Sequence, residues 1–409
     1  MKFRNYDPER DRESIHRLWR GVGWLHEGKE EALAPFIGCS RALVADVDGE
    51  AESLGASVAA TICYLDEELP LSAVTSAATS RRLRRRGLAK RLTAQLVAAD
   101  TADGAIVSAL GMFEQGFYNQ LGFGTGSYEN WITFDPAQLK PDIPDRLPRR
   151  IAPDDWAMAH AARLARLRVH GSCNLNPPEI TRSNLLAAKN GFGFGYCDGS
   201  DGEITHCFWC WTIEVGHGPY NVSFMAYQTW DQLLELLGVL KSLGDQVWLV
   251  RMREPPGIQF QDLLQEPFRR RGVSEKAKFE TGMRAVAYWQ MRICDLAGCL
   301  ARTHLKGGEA RFNLELIDPI ERFLDDEAPW RGVSGNYVVT LGPSSHAEVG
   351  TDSTLPTLKA SVGAFTRMWL GVRPATSLAV TDDLSGPQEL LDELDWLLRL
   401  PQPKWDWDF

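Results

Sequence analysis

Seven of the eleven residues from Arg81 to Arg91 are basic, and Gly87 sits inside the run. No other stretch constrains the chain as strongly. Ser72–Thr79, just before it, is a run of small and β-branched residues that reads as a strand. Leu88, Leu92 and Leu96, just after it, recur at helical spacing over Gly87–Asp100. The basic run therefore lies at a strand-to-helix turn. A helix start leaves backbone N–H groups without intrahelical partners, and its dipole end is positive. Arg84-Arg85-Arg86-Gly87-Leu88-Ala89 is thus suited to hold an anion such as a pyrophosphate. A solvated basic face or a nucleic-acid patch is the plainer reading of such a run.

Composition sharpens the contrast. Lys plus Arg is 44 against 54 Asp plus Glu, a formal net charge of −10. Nucleic-acid affinity comes mainly from neutralising phosphates, so the acidic balance argues against a nucleic-acid partner and suits cationic or neutral small molecules. With 44% hydrophobic and 24% charged residues the chain is globular. Its 409 residues fit two or three domains of about 150 residues each. Met1–Pro8 is too polar for a secretory signal, and no apolar run approaches the roughly 18 residues of a membrane span. Eight scattered cysteines suggest reduced core thiols rather than a disulfide scaffold. The expectation is a cytoplasmic protein with no membrane partner.

Three segments follow from pattern and punctuation, and the fold class they predict is α+β. The first, residues 1–147, alternates strand and helix signals: a helix around Ile15, Leu18 and Trp19, strands at Arg41–Val47, Val58–Tyr64, Ser72–Thr79 and Gly104–Leu110, and a short helix at Glu114–Gln120. Four prolines between Pro136 and Pro148 then break regular structure. The second, residues 148–284, has helices at Trp156–Val169 and Asp231–Leu243 and strands at Cys207–Glu214, Asn221–Tyr227 and Gln246–Met252. The third, residues 285–409, opens with a helical pattern over Ala285–Leu300. Strands follow at Ala310–Ile317, Gly335–Leu341 and Ala347–Val349, then helices at Thr357–Trp369 and Pro387–Leu400.

Tyr118 lies 31 residues beyond Gly87, inside Phe117-Tyr118-Asn119-Gln120-Leu121-Gly122-Phe123. An Arg-x-x-Gly-x-Ala loop followed by this motif resembles the GCN5-related N-acetyltransferase superfamily. Arg84–Leu88 with Glu114-Gln115-Gly116-Phe117-Tyr118 and Leu121-Gly122-Phe123-Gly124 resembles, more narrowly, the enhanced-intracellular-survival (Eis) acetyltransferases. That resemblance implies two tandem acetyltransferase-like domains and a C-terminal sterol-carrier-protein-like domain. Trp369-Leu370-Gly371-Val372-Arg373-Pro374-Ala375 is similar to the signature of the last.

The resemblance also implies a site. Contacts to acetyl-CoA, the co-substrate, fall on Ala77, Ala78 and Thr79, on Arg85, Arg86, Gly87, Leu88, Ala89 and Lys90, and on Phe113 and Glu114. The general acid falls on Tyr118, and the general base on the C-terminal carboxylate of Phe409. Phe113 stands where the family often has serine. No metal is implied. The implied activity is N-acetyl transfer to a primary amine of a cationic small molecule, aminoglycoside- or polyamine-like, or of a lysine side chain. The implied assembly is a homo-oligomer, a hexamer. The alternative is a non-catalytic acetyl-CoA- or lipid-binding regulatory protein.

The chain end carries an argument of its own. Trp405-Asp406-Trp407-Asp408-Phe409 alternates aromatic and acidic residues, the pattern of an extended segment with one buried face. A docked end would bring its α-carboxylate to a fixed place; an aromatic tail that merely staples the third domain is the plainer alternative. Asp406 and Asp408, flanking the end, are expected to attract a cationic amine. Tyr118 and Phe409 are 291 positions apart, so they meet only if the third domain packs on the first. Cys207-Phe208-Trp209-Cys210 reads as a core strand, Gly191–Gly195 as a flexible loop, and Arg269-Arg270-Arg271-Gly272 as a surface run. The second segment has no Arg-x-x-Gly-x-Ala loop between Asn221–Tyr227 and Asp231–Leu243, so no acetyl-CoA site is expected there.

Overall fold

A computed structural model describes residues 1–25, 28–199, 202–267 and 280–409. The Arg269–Gly272 run lies outside the described residues. Three sheets build the described chain. The first has eight strands. In order they are Lys2–Asn5, Arg41–Val47, Glu50–Tyr64, Glu67–Thr79, Val107–Gly111, Trp289–Ile293 and Gly124–Thr125, with Cys173–Leu175 paired to Glu50–Tyr64. The second has seven: Gly282–Val286, Glu129–Phe134, Val250–Arg253, Tyr220–Ala226, His206–Trp211, Phe192–Tyr196 and Arg149–Ile151. The third has five: His346–Val349, Gly335–Leu341, Ala310–Ile317, Thr357–Ser361 and Leu384–Ser385.

The sheets do not respect the chain boundaries drawn from the sequence. Glu129–Phe134 leaves the first segment to lie between two strands of the second sheet. In return Trp289–Ile293 enters the first sheet between Val107–Gly111 and Gly124–Thr125. This corrects the helix expected over Ala285–Leu300. All five residues of Trp289–Ile293 are buried. A strand covered on both faces shows no period-two alternation. The helical spacing is real only over Leu296–Ala301, which is a helix capped by Asp295.

Two further expectations change. Thr357–Ser361 is a strand, and the helix Val362–Trp369 starts where the Ser361 hydroxyl accepts from the Ala364 N–H. Gly191–Gly195 is not a loop but part of the strand Phe192–Tyr196. A Cβ at Gly193 would lie 2.5 Å from the Phe208 carbonyl oxygen, so the glycine serves close strand packing. Cys207 and Cys210 are buried on the strand His206–Trp211.

The third segment packs onto the first through one continuous core that includes Ile62, Tyr64, Leu71, Ala109, Trp369 and Trp405. Tyr64 stacks on Trp369 at 4.3 Å and donates to its carbonyl oxygen at 3.1 Å. Arg292, buried on the exchanged strand, donates to Asp318 and to the Leu121 carbonyl. The glycines of Leu121-Gly122-Phe123-Gly124 make the closest approach. Gly122 adopts φ +79°, and a Cβ at Gly124 would sit 2.3 Å from the Gly363 carbonyl oxygen. Overpacking that contact should destabilise the fold. Gly124→Ala is expected to lower stability by about 1–3 kcal/mol, seen as a lower denaturant midpoint with an unchanged slope.

Candidate active site

The site begins where two parallel strands part. Glu67–Thr79 and Val107–Gly111 pair in register from Leu71↔Val107 to Val74↔Leu110 and no further. Among the described residues, Thr75–Thr79 continues past that point with no strand paired on its Val107–Gly111 side. Its other edge stays paired, with Ser53↔Thr79 and Leu54↔Ala78. Between Ala78 and Thr75 the register shifts, and Ser76 takes φ +57°. This bulge bends the strand away from its neighbour and exposes backbone donors and acceptors at the opening. Ser53 Oγ donates to the Ala78 carbonyl at 2.9 Å and lies 2.8 Å from Thr79 Oγ1, holding the bent segment from behind.

The basic turn follows at once. Arg85 has φ +62° and Gly87 φ +77°, so the loop curls left-handed twice before the helix Leu88–Ala102 starts. Left-handed backbone suits glycine at residue 87; at Arg85 it marks a side chain held in an uncommon conformation. Arg84, Arg85, Arg86 and Gly87 are exposed. No salt bridge neutralises Arg84, Arg85 or Arg86 among the described residues, whereas Arg82 pairs with Glu52 at 2.8 Å. The loop therefore presents uncompensated charge and helix N-terminal N–H groups at the mouth of the opening, the donor set an anion needs. Leu88 is buried beneath it and Ala89 is half-buried. Lys90 turns away: its ammonium donates to Gln120 Oε1 and rests 5.2 Å from the Phe117 ring.

Tyr118 shares a buried cluster with Val74 and Leu110, the last paired residues of the two strands. The residue is 3% exposed, and no hydrogen bond engages its hydroxyl among the described residues. Burial raises the phenol above its ordinary value near 10. Phe113, 65% exposed, sets its ring 5.9 Å from Tyr118 at a near-perpendicular angle, and Glu114 is exposed beside it.

The chain end reaches the same strand from the other side. A Cβ at Gly111 would lie 3.3 Å from the Phe409 O atom. Successive strand residues face opposite ways, so the Tyr118 cluster at Leu110 and the terminal carboxylate at Gly111 flank the strand end on opposite faces. The tail is docked along its length. Lys404 N–H donates to the His170 carbonyl at 2.8 Å, Trp405 stacks on Trp289 at 4.9 Å, and Trp407 is 1% exposed. Asp406 and Asp408 are each held by an arginine. Asp406 accepts from Arg166 at 2.6 Å and from the Cys173 N–H at 3.0 Å, and Asp408 from Arg253 at 2.5 Å. Both aspartates thereby anchor the tail.

Residues 4–126 match the family model described as an acetyltransferase (GNAT) domain. The first domain is a GNAT acetyltransferase domain. The N-terminal part of the chain thus carries an acyl-CoA-dependent acetyltransferase domain. The whole length of the chain shares its fold with Eis1 from Mycobacterium abscessus, at 17% identity and TM-score 0.74, with 100% of each chain covered. A probable N-acyltransferase from Enterococcus faecalis V583 superposes at TM-score 0.77 and 17% identity, over 100% of this chain and 99% of that one. A GCN5-related N-acetyltransferase from Kribbella flavida gives TM-score 0.73 at 16% identity, over 100% of this chain and 98% of that one. No curated protein matches the sequence. Among the described residues no helix is long and apolar enough to cross a membrane.

The structure adds residues to this GNAT site that the sequence did not single out: Ser76 in the bulge, Gly111 under the chain end, and Arg166 and Arg253 on the tail. An eight-residue strand signal with no glycine hides a bulge. Arg166 and Arg253 stand in the sequence with no mark of their distant partners. Tyr118 also has a pH consequence. Above about pH 10 an unfolded tyrosine ionises while the buried Tyr118 stays neutral, so this group makes stability fall as pH rises beyond that value. Tyr118→Phe is expected to lessen the alkaline loss of stability, and a difference titration of phenolate absorption should show no Tyr118 ionisation at pH 10.

Proposed function

We propose that this GNAT protein transfers an acetyl group from acetyl-CoA directly to a primary amine of a cationic small molecule or a lysine side chain. The juxtaposition that carries the reading is the parted strand pair, with the Arg85–Gly87 turn at its mouth and the Phe409 carboxylate at Gly111. An open strand edge, two left-handed loop residues and uncompensated arginines fit a thioester cofactor with a pyrophosphate. In this reading the free edge of Ala77, Ala78 and Thr79 pairs with the pantetheine arm. Arg85, Arg86, Gly87, Leu88 and Ala89 cradle the pyrophosphate with Lys90 nearby, and Phe113 and Glu114 border the arm.

The amine nitrogen attacks the thioester carbonyl, the C–S bond breaks, and Tyr118 gives its proton to the departing thiolate. A phenol raised by burial stays protonated at neutral pH, as a donor must. The amine proton passes to the Phe409 carboxylate. An α-carboxylate near about 3.5 and an alkylammonium near about 10.4 differ by roughly 7 units, on the order of 9 kcal/mol. The carboxylate therefore acts on an amine that is already neutral. No metal enters this scheme.

The same reading takes residues 1–147, 148–284 and 285–409 as catalytic, degenerate and sterol-carrier-like domains, and the protein as a cytoplasmic homo-oligomer, a hexamer. It assigns no nucleic-acid partner. Thiol release with polyamines, aminoglycosides and lysine peptides tests it, with product masses locating the acetyl group; silence across the panel with acetyl-CoA still bound would count against it. Tyr118→Phe is expected to lower kcat by about 10²-fold or more with little change in KM for acetyl-CoA. A single glycine added after Phe409 should abolish most turnover and leave acetyl-CoA affinity intact in calorimetry. For the wild type, kcat/KM should rise with pH toward the pKa of the accepting amine.

A further inference from the structure

The second sheet repeats the opening of the first. Tyr220–Ala226 and Val250–Arg253 run parallel and pair only at Tyr220↔Val250 and Asn221↔Arg251. They then part toward their C-terminal ends, as Glu67–Thr79 and Val107–Gly111 do. No basic glycine turn follows; Thr229 instead caps the helix Trp230–Lys241 by accepting from the Gln232 N–H. What lies against this opening is the chain's own tail. The cavity there is lined by Phe224 and Tyr227 of one strand side, Met252 and Arg253 of the other, and Trp405 and Asp406.

Three consecutive tail residues are each gripped by an arginine. Arg166, buried, donates through Nε at 3.0 Å and Nη2 at 2.6 Å to Asp406 Oδ2. Its remaining donors go to the Arg163 carbonyl at 2.5 Å, Asn174 Oδ1 at 2.6 Å and the Cys173 carbonyl at 2.7 Å. The Cys173 N–H holds Asp406 Oδ1 at 3.0 Å, so both carboxylate oxygens are fixed. Arg163, also buried, lies 3.6 Å from the Trp407 ring centre and 4.3 Å from that of Phe224. Arg253 joins Asp408 at 2.5 Å to Glu129 at 2.8 Å. Phe409 is the next residue, and one residue spans at most about 3.6 Å. With 406, 407 and 408 held, the terminal carboxylate has one residue's freedom.

We infer that the second domain is a clamp for the C-terminal strap, in which Arg166 and Arg253 are positioning residues that fix the Phe409 carboxylate beside Gly111. The opening that holds acyl-CoA in the first domain is given over to the tail in the second. The inference rests on the reading of Phe409 as the base, and its test separates the two. Limited digestion with a carboxypeptidase specific for aromatic ends reports tail docking without reference to activity. Acetyl-transfer kinetics report the base.

Arg166→Met, checked for folding by circular dichroism, is expected to release Phe409 about ten-fold faster than wild type. Its kcat should fall about ten-fold or more while KM and calorimetric affinity for acetyl-CoA stay constant. Asp408→Asn removes only the outer grip, on a side chain that is 63% exposed, and serves if Arg166→Met does not fold. It should show the same two effects at smaller size, with Asp408→Glu restoring them. Faster release with unchanged kcat would uphold the clamp and overturn the assignment of the terminal carboxylate as base. Wild-type resistance to digestion in folded Arg166→Met, or in Asp408→Asn where that is the variant used, would overturn the clamp whatever the kinetics.

Discussion

The ion pair of Arg166 and Asp406 joins residues 240 positions apart, and the candidate site depends on it. Taking two charges out of water is costly, and their attraction offsets that cost only when the geometry is good and the other donors are satisfied. Here every Arg166 nitrogen donates and both Asp406 oxygens accept. Loss of one partner from such a pair costs about 3–5 kcal/mol, because the other charge stays buried alone. The interaction therefore ties the last residues of the chain to the second domain, and through them places a carboxylate at the first.

A clamp works only on a rigid frame, and the strand exchange supplies one. Glu129–Phe134 of the first segment lies in the second sheet, and Cys173–Leu175 of the second and Trp289–Ile293 of the third lie in the first. Each sheet is completed by strands from other segments, so neither can turn without breaking its own backbone hydrogen bonds. The third segment is bound as tightly. Gly122 and Gly124 allow backbone to touch backbone at Gly363, and the buried Arg292–Asp318 pair crosses the same joint. A motif that looks like part of a binding loop is thus, at its glycines, a docking surface. Its tyrosine packs against Val74 and Leu110 at the strand opening while its glycines face the neighbouring segment.

Much of the fold was legible in the sequence because local pattern and final environment agree. Arg41–Val47, Ala310–Ile317 and Gly335–Leu341 have the boundaries that their alternation and punctuation predict. Two of the elements whose structure differs from the sequence pattern share one physical cause. Trp289–Ile293 and Phe192–Tyr196 owe their structure to neighbours: one is buried on both faces, and the other packs glycines against an adjacent strand. Neither condition leaves a period in the residues themselves.

The candidate site divides the same way. The basic turn, its glycine and the strand and helix around it were readable from residue types alone, since an anion-binding helix start needs those residues in that order. So was the aromatic–acidic tail as a docked extended segment. Only the tertiary structure decided where the strands part, because the splay follows from a bulge at Ser76 and from the strand inserted beside Gly111. Only it showed that Asp406 and Asp408 are bound by arginines of the second segment. The sequence by itself determined where the basic turn, Tyr118 and the aromatic–acidic tail lie along the chain. Where they sit relative to one another was set by the tertiary structure, because contacts between residues hundreds of positions apart come from sheet pairing and buried charge, which no local pattern encodes.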